Sequence, residues 1–600
     1  MYKDLQSYIR DLEIRGELKR IKEPVSHELE ITEVANKIVK MGGPALLFEN
    51  VIGKEFPLVI GLFGTRERMA RALGVTNLND ISLRIKKLMD VKLGGGLMGL
   101  AANLPKLKEL KALAPKRIRN APVQEVVWQG NEVDLNKIPI LKCWPKDGGD
   151  FITLPLVFTQ DPKTGEKNIG MYRMQVFDKN TTAMHWQRFK TGRKHLQSAK
   201  ELGRKLEVAV ALGGDPALTY AATAPIPPVP GINELSLTGF LRGKPLEVVK
   251  GITVDLEVPA HAEFILEGYV DPNEDLVIEG PFGDHTGFYN LEDHYPVFHV
   301  TAITMRKNAI YPATIVGRPP MEDAYLIEAT ERIFLPLAQM IIPEIIDYHL
   351  PPAGIAHNLV NVLIKKDYPG QAYKVANGML GLGQMMTAKV ILVASGDIKP
   401  QQHLQFWRDV LKNAVPGKDS QFAKGPIDDL DHSSRAFTYG SKLIIDGTVK
   451  TTEENNIEWT ANKHKAKDSL PEHDEIIDQH QFAGGFWFIT IKKTYANQGK
   501  TIAQWAGQQK DIEGVRLVAV LDEETNPRNF EDAIWTMLNN IDPERDIEIA
   551  SSEFGNVFLV DASQKIPAEG FDRPWPEKLK MNQDVVEKMQ ALVEQLEIKI

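Results

Sequence analysis

The sequence predicts a multidomain protein of α/β and β class, with α/β segments at both ends and a β-rich middle. Three observations carry this expectation. At 600 residues the chain is too long for one hydrophobic core. Both ends alternate helical apolar spacing with short strand-like runs. The middle third strings together short segments rich in β-branched and aromatic residues, split by turn signals.

In chain order, Leu5, Ile9 and Leu12 predict a helix over 2–13 that ends at Gly16. Ser26 is placed to cap a second helix carrying Leu29, Val34, Ile38 and Met41, stopped by Gly42-Gly43. ALLFENV and FPLVIGLF follow as strands, giving an N-terminal α/β domain over 1–120 with an Ala-Pro connector at 112–122. Over 121–320, VQEVVW, FITLPLVFTQ, GMYRMQVFD, PLEVVKGITVDLEV, AEFILEGYV and FHVTAITMR predict a β-rich barrel or sandwich with a few helices, one near 195–212. MEDAYLIEATERIFLPLAQMIIPEI predicts a linking helix over 321–345. From 346 to 600, NLVNVLI, QAYKVANGML and AKVILVAS make a βαβ unit, which FWFITIKK, VRLVAVLDEE, FEDAIWTMLNN and NVFLVDAS continue. The polar stretch 450–480 reads as a surface excursion. Residues 582–600 read as one amphipathic helix, suited to core packing or an oligomer contact. No internal repeat is visible.

A net charge of −9 excludes a general nucleic-acid binder. Cys143 is the only cysteine, so no intrachain disulfide or Cys/His finger exists. The first twenty residues are charged throughout, unlike a signal or transit leader, and no apolar run reaches eighteen residues. The expectation is a cytoplasmic enzyme without a transmembrane segment.

GGGLMG at 94–99 fits GxGxxG but follows a helical stretch instead of a strand, so it is not read as a dinucleotide site. GLG at 381–383 reads as a helix end. P-loop, GxSxG and HExxH patterns are absent. Residues 188–205 carry seven Lys/Arg against Glu201, which reads as a solvated helix face or a phosphate site. EGPFGDHTGFYN at 279–290 sets Glu279 and Asp284 around a Pro-Phe-Gly turn, while NIGMYRMQVFD offers Asn168 and Arg173. Asn168 and Arg173 reach one pocket only if their strand bends or the ligand straddles its end. Arginine is the natural fork for a carboxylate. Of two acids beside it, one is held ionised and burial keeps the other protonated. Such a set suits proton transfer to carbon as CO2 leaves, and the electrons need a cofactor as sink.

These blocks, in this order, resemble the UbiD family of decarboxylases, which use prenylated FMN. The resemblance rests on GELKRI with HELEITEVANKIVKMGGPALLFENV, NIGMYRMQVFDKNTTAMHW, LRGKPLEVVK, EGPFGDHTGFYN with IVGRPP, and VDASQKIPAEGFDRPWP. It implies an N-terminal α/β domain, a central split β-barrel holding the flavin and a C-terminal α/β oligomerisation domain. It also implies reversible, non-oxidative decarboxylation of an aromatic or α,β-unsaturated acid, such as a 4-hydroxy-3-polyprenylbenzoate-like or naphthoate-like quinone precursor. A flavin prenyltransferase would supply the cofactor to a homodimer or homohexamer. Some family members instead work within larger complexes, so a flavin-binding subunit without turnover of its own is the alternative.

Carried over, Arg173, Glu279 and Asp284 become the catalytic set, although some relatives have Glu at the Asp284 position. Asn168, Met171, Tyr172, Arg173, His185, Trp186, Gln187, Lys190, Thr191, Glu247 and Lys565 become cofactor-binding. Asn168 and Glu247 match two ligands of the family's divalent metal (Mn or Mg), with K+ nearby. The third ligand, a histidine in HWxxH, is here Phe189, which has no lone pair to give. Several accounts stand open. His185 or His195 takes its place; Asn168, Glu247, phosphate and water suffice; Arg188 and Lys190 neutralise the phosphate without metal; or catalysis has been lost.

Overall fold

The computed structural model describes residues 1–89, 111–188, 190–226, 232–454, 466–467, 469–553 and 555–596. They form a mixed α/β fold of two compact units, Met1–Ile333 with Glu577–Ile600, and Phe334–Pro576. Among the described residues no helix is long and apolar enough to cross a membrane. GGGLMG at 94–99 and Phe189 lie outside the described residues, as do 455–465 and 468 of the polar stretch 450–480.

In the first unit, helix Leu5–Ile14 starts at Asp4, whose carboxylate accepts from the Ser7 N–H at 2.8 Å. Leu5, Tyr8, Ile9 and Leu12 form its buried stripe. The second helix begins at Glu30 and not behind Ser26, because the Ser26 hydroxyl turns back to the Glu28 N–H and Leu29 takes a φ of 63°. Leu18–Ile21, Ala45–Phe48, Leu58–Ile60 and the distant Tyr311–Pro312 form one four-stranded sheet.

A larger sheet runs in the order Thr181–Ala183, Val297–Met305, Phe264–Val270, Leu206–Leu212, Leu156–Gln160, Lys167–Met171, with Val126–Gln129 added on Val297–Met305. Every pairing in it is antiparallel, and its path is open among the described residues. The helix expected over 195–212 is two elements. Helix Thr191–Glu201 stops before Gly203, at φ 66°, and LEVAVAL continues as a central, largely buried strand. The last helix, Gln583–Gln595, buries Met589 and Val593 in the same core as helix Glu30–Lys40, so core packing accounts for its apolar stripe.

The second unit overturns the expectation of no repeat. It contains two five-stranded sheets of one topology. The first runs Ile345–His349, Leu359–Ile364, Val390–Ser395, Tyr439–Gly447, Ser420–Pro426. The second runs Ile476–Phe482, Phe486–Ile491, Leu517–Asp522, Gly555–Ala562, Ile547–Ser552. In both the successive pairings are antiparallel, parallel, parallel and antiparallel. Even the register shift in the first strand recurs, at Ile345/Asp347 and at Ile476/Asp478.

With the sheets aligned, EIIDYH at 344–349 matches EIIDQH at 475–480, IKKDYPGQ at 364–371 matches IKKTYANQ at 491–498, and DGTVKTTEE at 446–454 matches DASQKIPAE at 561–569. These strings build one polar network twice. Lys366 Nζ donates to Glu454 Oε1 at 2.9 Å and Thr448 Oγ1 at 3.1 Å. Lys493 Nζ donates to Glu569 Oε1 at 2.6 Å and Ser563 Oγ at 3.2 Å. The repeat escapes inspection because the first copy has a longer turn before Leu359 and an extra loop at 427–438. The offset between copies therefore changes along the chain, and the strands between the matching strings are interchangeable apolar runs.

Candidate active site

EGPFGDHTGFYN folds as two short hairpins, Val277–Glu279 with Asp293–Tyr295 and Phe282–Gly283 with Tyr289–Asn290. Glu279 ends one strand and Asp284 follows the other. Gly280 turns between them at φ 107°, a conformation that favours glycine. The Gly280 N–H donates to Gln175 Oε1 at 2.8 Å and the Gly283 N–H to Asp147 Oδ1 at 2.7 Å. A Cβ at Gly148 would stand 2.1 Å from the Gly280 carbonyl oxygen, so the bent loop rests directly on bare backbone. Burial pushes the Asp147 carboxyl up to about 6, against the N–H groups of Trp144, Gly283 and Cys143 that it accepts from.

Arg173 sits where the strand Lys167–Met171 breaks before Met174–Gln175. Its Nε donates to Glu279 Oε1 at 2.7 Å, its Nη1 to Asp284 Oδ2 at 2.5 Å, and its guanidinium lies 4.6 Å from the centre of the Phe282 ring. His185 Nδ1 lies 2.8 Å from Glu279 Oε2, and His285 Nδ1 2.9 Å from Asp284 Oδ1. All three charged groups are buried or nearly so. Burial works to raise the Glu279 pKa, but the Arg173 charge and the His185 hydrogen bond hold it at about 2. For Asp284, burial is again outweighed, here by the His285 hydrogen bond and Arg173, and the carboxyl stays well below its usual range. The expectation that one acid is kept protonated is thus corrected: with only protein groups around them, both are ionised. Sequence reasoning missed Asp323 nearby, whose pKa burial raises, with His285 lowering it and Asp284 adding to the rise.

Asn168 is not brought to the acid–Arg–acid set. It lies behind the strand break with Tyr172, whose pKa burial raises against the pull of the Asn168 side chain and the Gly192 N–H. Asn168 Nδ2 and Trp186 Nε1 are buried without a hydrogen-bond partner. A Cβ at Gly192 would fall 2.5 Å from Trp186 Nε1, which places that orphan donor at the start of helix Thr191–Glu201. Lys190 and Thr191 flank the same helix start and Gln187 is half-buried, while Met171 closes the preceding strand. Two orphan donors beside the positive end of a helix fit an anionic phosphate.

Glu247 is not with Asn168. It lies on strand Glu247–Lys250, paired with His261 at 2.8 Å and Lys116 at 3.3 Å. Glu234 is the carboxylate beside Asn168. It accepts from the Ile169 N–H at 3.1 Å and lines a cavity together with Asn168, Thr159 and Asn233. Burial pushes its pKa up, which a bound cation would reverse. Nothing in the sequence marks Glu234 beyond its position at a helix start behind the Asn233 cap. His195 is buried, with Nδ1 2.9 Å from Thr159 Oγ1. Among the described residues no group of three or more His, Cys, Asp or Glu is placed to hold a metal. Lys565 has another role in this structure. Its ammonium donates to the carbonyls of Asp561 and Ser563, both at 2.8 Å, in the position that Lys450 occupies in the first copy.

Family models match in order: the N-terminal domain of 3-octaprenyl-4-hydroxybenzoate carboxy-lyase at 9–87, its Rift-related domain at 116–319, and its C-terminal domain at 324–447 and 475–563. An uncharacterized protein of Aquifex aeolicus is 49% identical over 484 residues, 80% of this chain and 98% of its own length. The chain belongs to the UbiD family. Its members are decarboxylases, and the solved structures it resembles agree. UbiD-class HmfF from Pelotomaculum thermopropionicum, solved with FMN, is 27% identical at a TM-score of 0.65, covering 78% of this chain and 97% of that one. Its evolved dimeric form, solved with prFMN, is 26% identical at 0.62, covering 75% and 96%. Vanillic acid decarboxylase of Sedimentibacter hydroxybenzoicus is 26% identical at 0.66, covering 79% and 96%. UbiD membership also gives the two C-terminal matches a structural meaning, since each falls on one copy of the repeat.

Proposed function

We propose that this chain decarboxylates an aromatic or α,β-unsaturated acid, reversibly and without net oxidation, with prenylated FMN bound at the site. The observation that carries this reading is Arg173 held between two buried carboxylates, Glu279 and Asp284. Arg173 engages the substrate carboxylate. That contact draws its charge from Asp284, so burial prevails and Asp284 takes up a proton. Asp284 then delivers the proton to the carbon that has lost CO2, while Glu279, fixed by His185, keeps Arg173 in place. The flavin, when bound, supplies the electron sink. Asn168, Tyr172, Trp186, Lys190 and Thr191 would hold its phosphate.

A divalent metal, manganese or magnesium, would be held by Asn168 and Glu234, with potassium nearby. Glu234→Gln is then expected to weaken metal retention by at least about 10–100-fold, the cost of losing even an outer-shell partner. Glu247→Gln should leave metal content unchanged by elemental analysis. The reverse pattern would return the role to Glu247. The substrate is a quinone precursor of the polyprenylbenzoate or naphthoate kind, and a flavin prenyltransferase supplies the cofactor in the cytoplasm.

The direct test is co-expression with a flavin prenyltransferase, followed by exchange of labelled CO2 into candidate acids. No exchange in flavin-loaded protein across aromatic and unsaturated acids would reject the reading. Arg173→Ala should raise the carboxylate-substrate KM by at least about tenfold, the loss of one charge-assisted contact. An unchanged KM would remove Arg173 from the clamp role.

A further inference from the structure

The two copies in the second unit meet across a face that is alike on both. Helices His403–Asn413 and Phe530–Asn540 hold equivalent places in the two sheets, and their first residues touch, with rings 5.5 Å apart. Several further contacts come in reciprocal pairs. Asn556, on the fourth strand in space of the second copy, donates to the Pro416 carbonyl just after the first copy's helix at 2.9 Å. Ser441, its equivalent in the first copy, meets Asp542 and accepts from the Glu544 N–H at 2.8 Å, just after the second copy's helix. Likewise Arg408 Nε donates at 2.8 Å to Ala483 in the second copy's hairpin, and helix Phe530–Asn540 packs on the first copy's turn Pro352–Gly354. Residue i of one copy meets j of the other, and j meets i. That is the signature of an isologous, twofold contact, normally made between identical chains.

We infer that residues 475–569 are a tethered partner for residues 344–454, filling within one chain the self-complementary face that a lone module would offer to another chain. The face is apolar at its centre: Trp407 packs on Phe486, and both are buried. Left uncovered it would be a sticky patch of the kind that drives association. The Aquifex relative, matched almost end to end, leaves a fifth of this chain without a counterpart, about the size of one copy. Association between chains therefore uses other surfaces, and this part of 346–600 is closed to it.

Lys424 and Glu544 bridge the rim of the face at 3.0 Å and are exposed, whereas the native Cys143 is buried. The full-length variant Lys424→Cys/Glu544→Cys, treated with a short bismaleimide, should give mainly an internal bridge at single-chain mass on a denaturing gel. Mainly chain-to-chain dimers would overturn the inference. Arg435 faces Asp542 at 3.1 Å and Glu544 at 3.3 Å across the same face. Adding Arg435→Glu to the double-cysteine variant should cut the bridge yield several-fold, and Arg435→Glu alone should leave the native mass of the assembly unchanged. An undiminished bridge, or a native mass that falls to a smaller assembly, would also overturn it.

Discussion

Asp284→Asn is expected to leave the flavin bound and the fold intact while turnover falls by about 10²–10⁴, the usual worth of a positioned acid–base group. Asparagine keeps the shape and can still accept from the His285 N–H, which reaches Oδ1 at 2.7 Å. It cannot carry a proton to carbon. Turnover within a few-fold of wild type would mean that the donor lies elsewhere, with Asp323 the next group to test. The pH dependence gives a second check. Burial favours protonation of both acids, but Arg173, His185 and His285 outweigh it, and Glu279 is held at about 2. In the free enzyme both acids are therefore already ionised at about pH 4, where an unperturbed carboxylate titrates. The acid limb of kcat/KM should show no carboxylate there. A limb at about 4 would show that Arg173 does not hold its two partners as the geometry indicates.

The parts of this site legible in the sequence are those whose chemistry is confined to short strings. Pro281 and Gly283 announce a bend, and Glu279 and Asp284 sit on either side of it. The broken strand at Tyr172–Arg173 follows from the same need for Arg173 to reach both acids. Glu234 was not legible, because its closeness to Asn168 is made by a helix packing against a distant strand. Spacing along the chain equally could not show that His261 and Lys116 engage the Glu247 carboxylate. The ionisation of Glu279 depends on where His185 falls in space, which spacing along the chain does not encode, whereas His285 stands next to Asp284 in the sequence itself. The mixed α/β character of the chain was readable from periodicity. The repeat was not, because the extra loop at 427–438 and a longer turn spoil the constant offset that a repeat needs to be seen.

That extra loop leads to the largest expected effect on stability. It brings Asp431 against Lys389, and both are essentially buried. Lys389 also donates to Ser433 Oγ at 2.8 Å and to the Leu538 carbonyl at 3.0 Å. The second copy has Arg516 at the position of Lys389 but lacks the loop and so has no counterpart of Asp431. Burial alone would raise the Asp431 pKa, yet Lys389 and its neighbours bring it down to about 2. Asp431→Ala leaves a buried ammonium without its carboxylate, at a cost of about 3–5 kcal/mol. For a unit of this size that lowers the melting temperature by roughly 6–20 °C. The double change Lys389→Met/Asp431→Leu should recover most of the loss, since a buried pair replaced by apolar side chains is often neutral. The sign with pH follows from the lowered pKa. The contribution of Asp431 is complete above the ordinary carboxylate value and disappears as pH falls from about 4 towards 2. Melts of wild type and Asp431→Ala should therefore converge as pH is lowered through that window. A single variant that melts within about 2 °C of wild type at pH 7, less than the shift expected from 1 kcal/mol, would show that the carbonyl and hydroxyl acceptors alone satisfy Lys389.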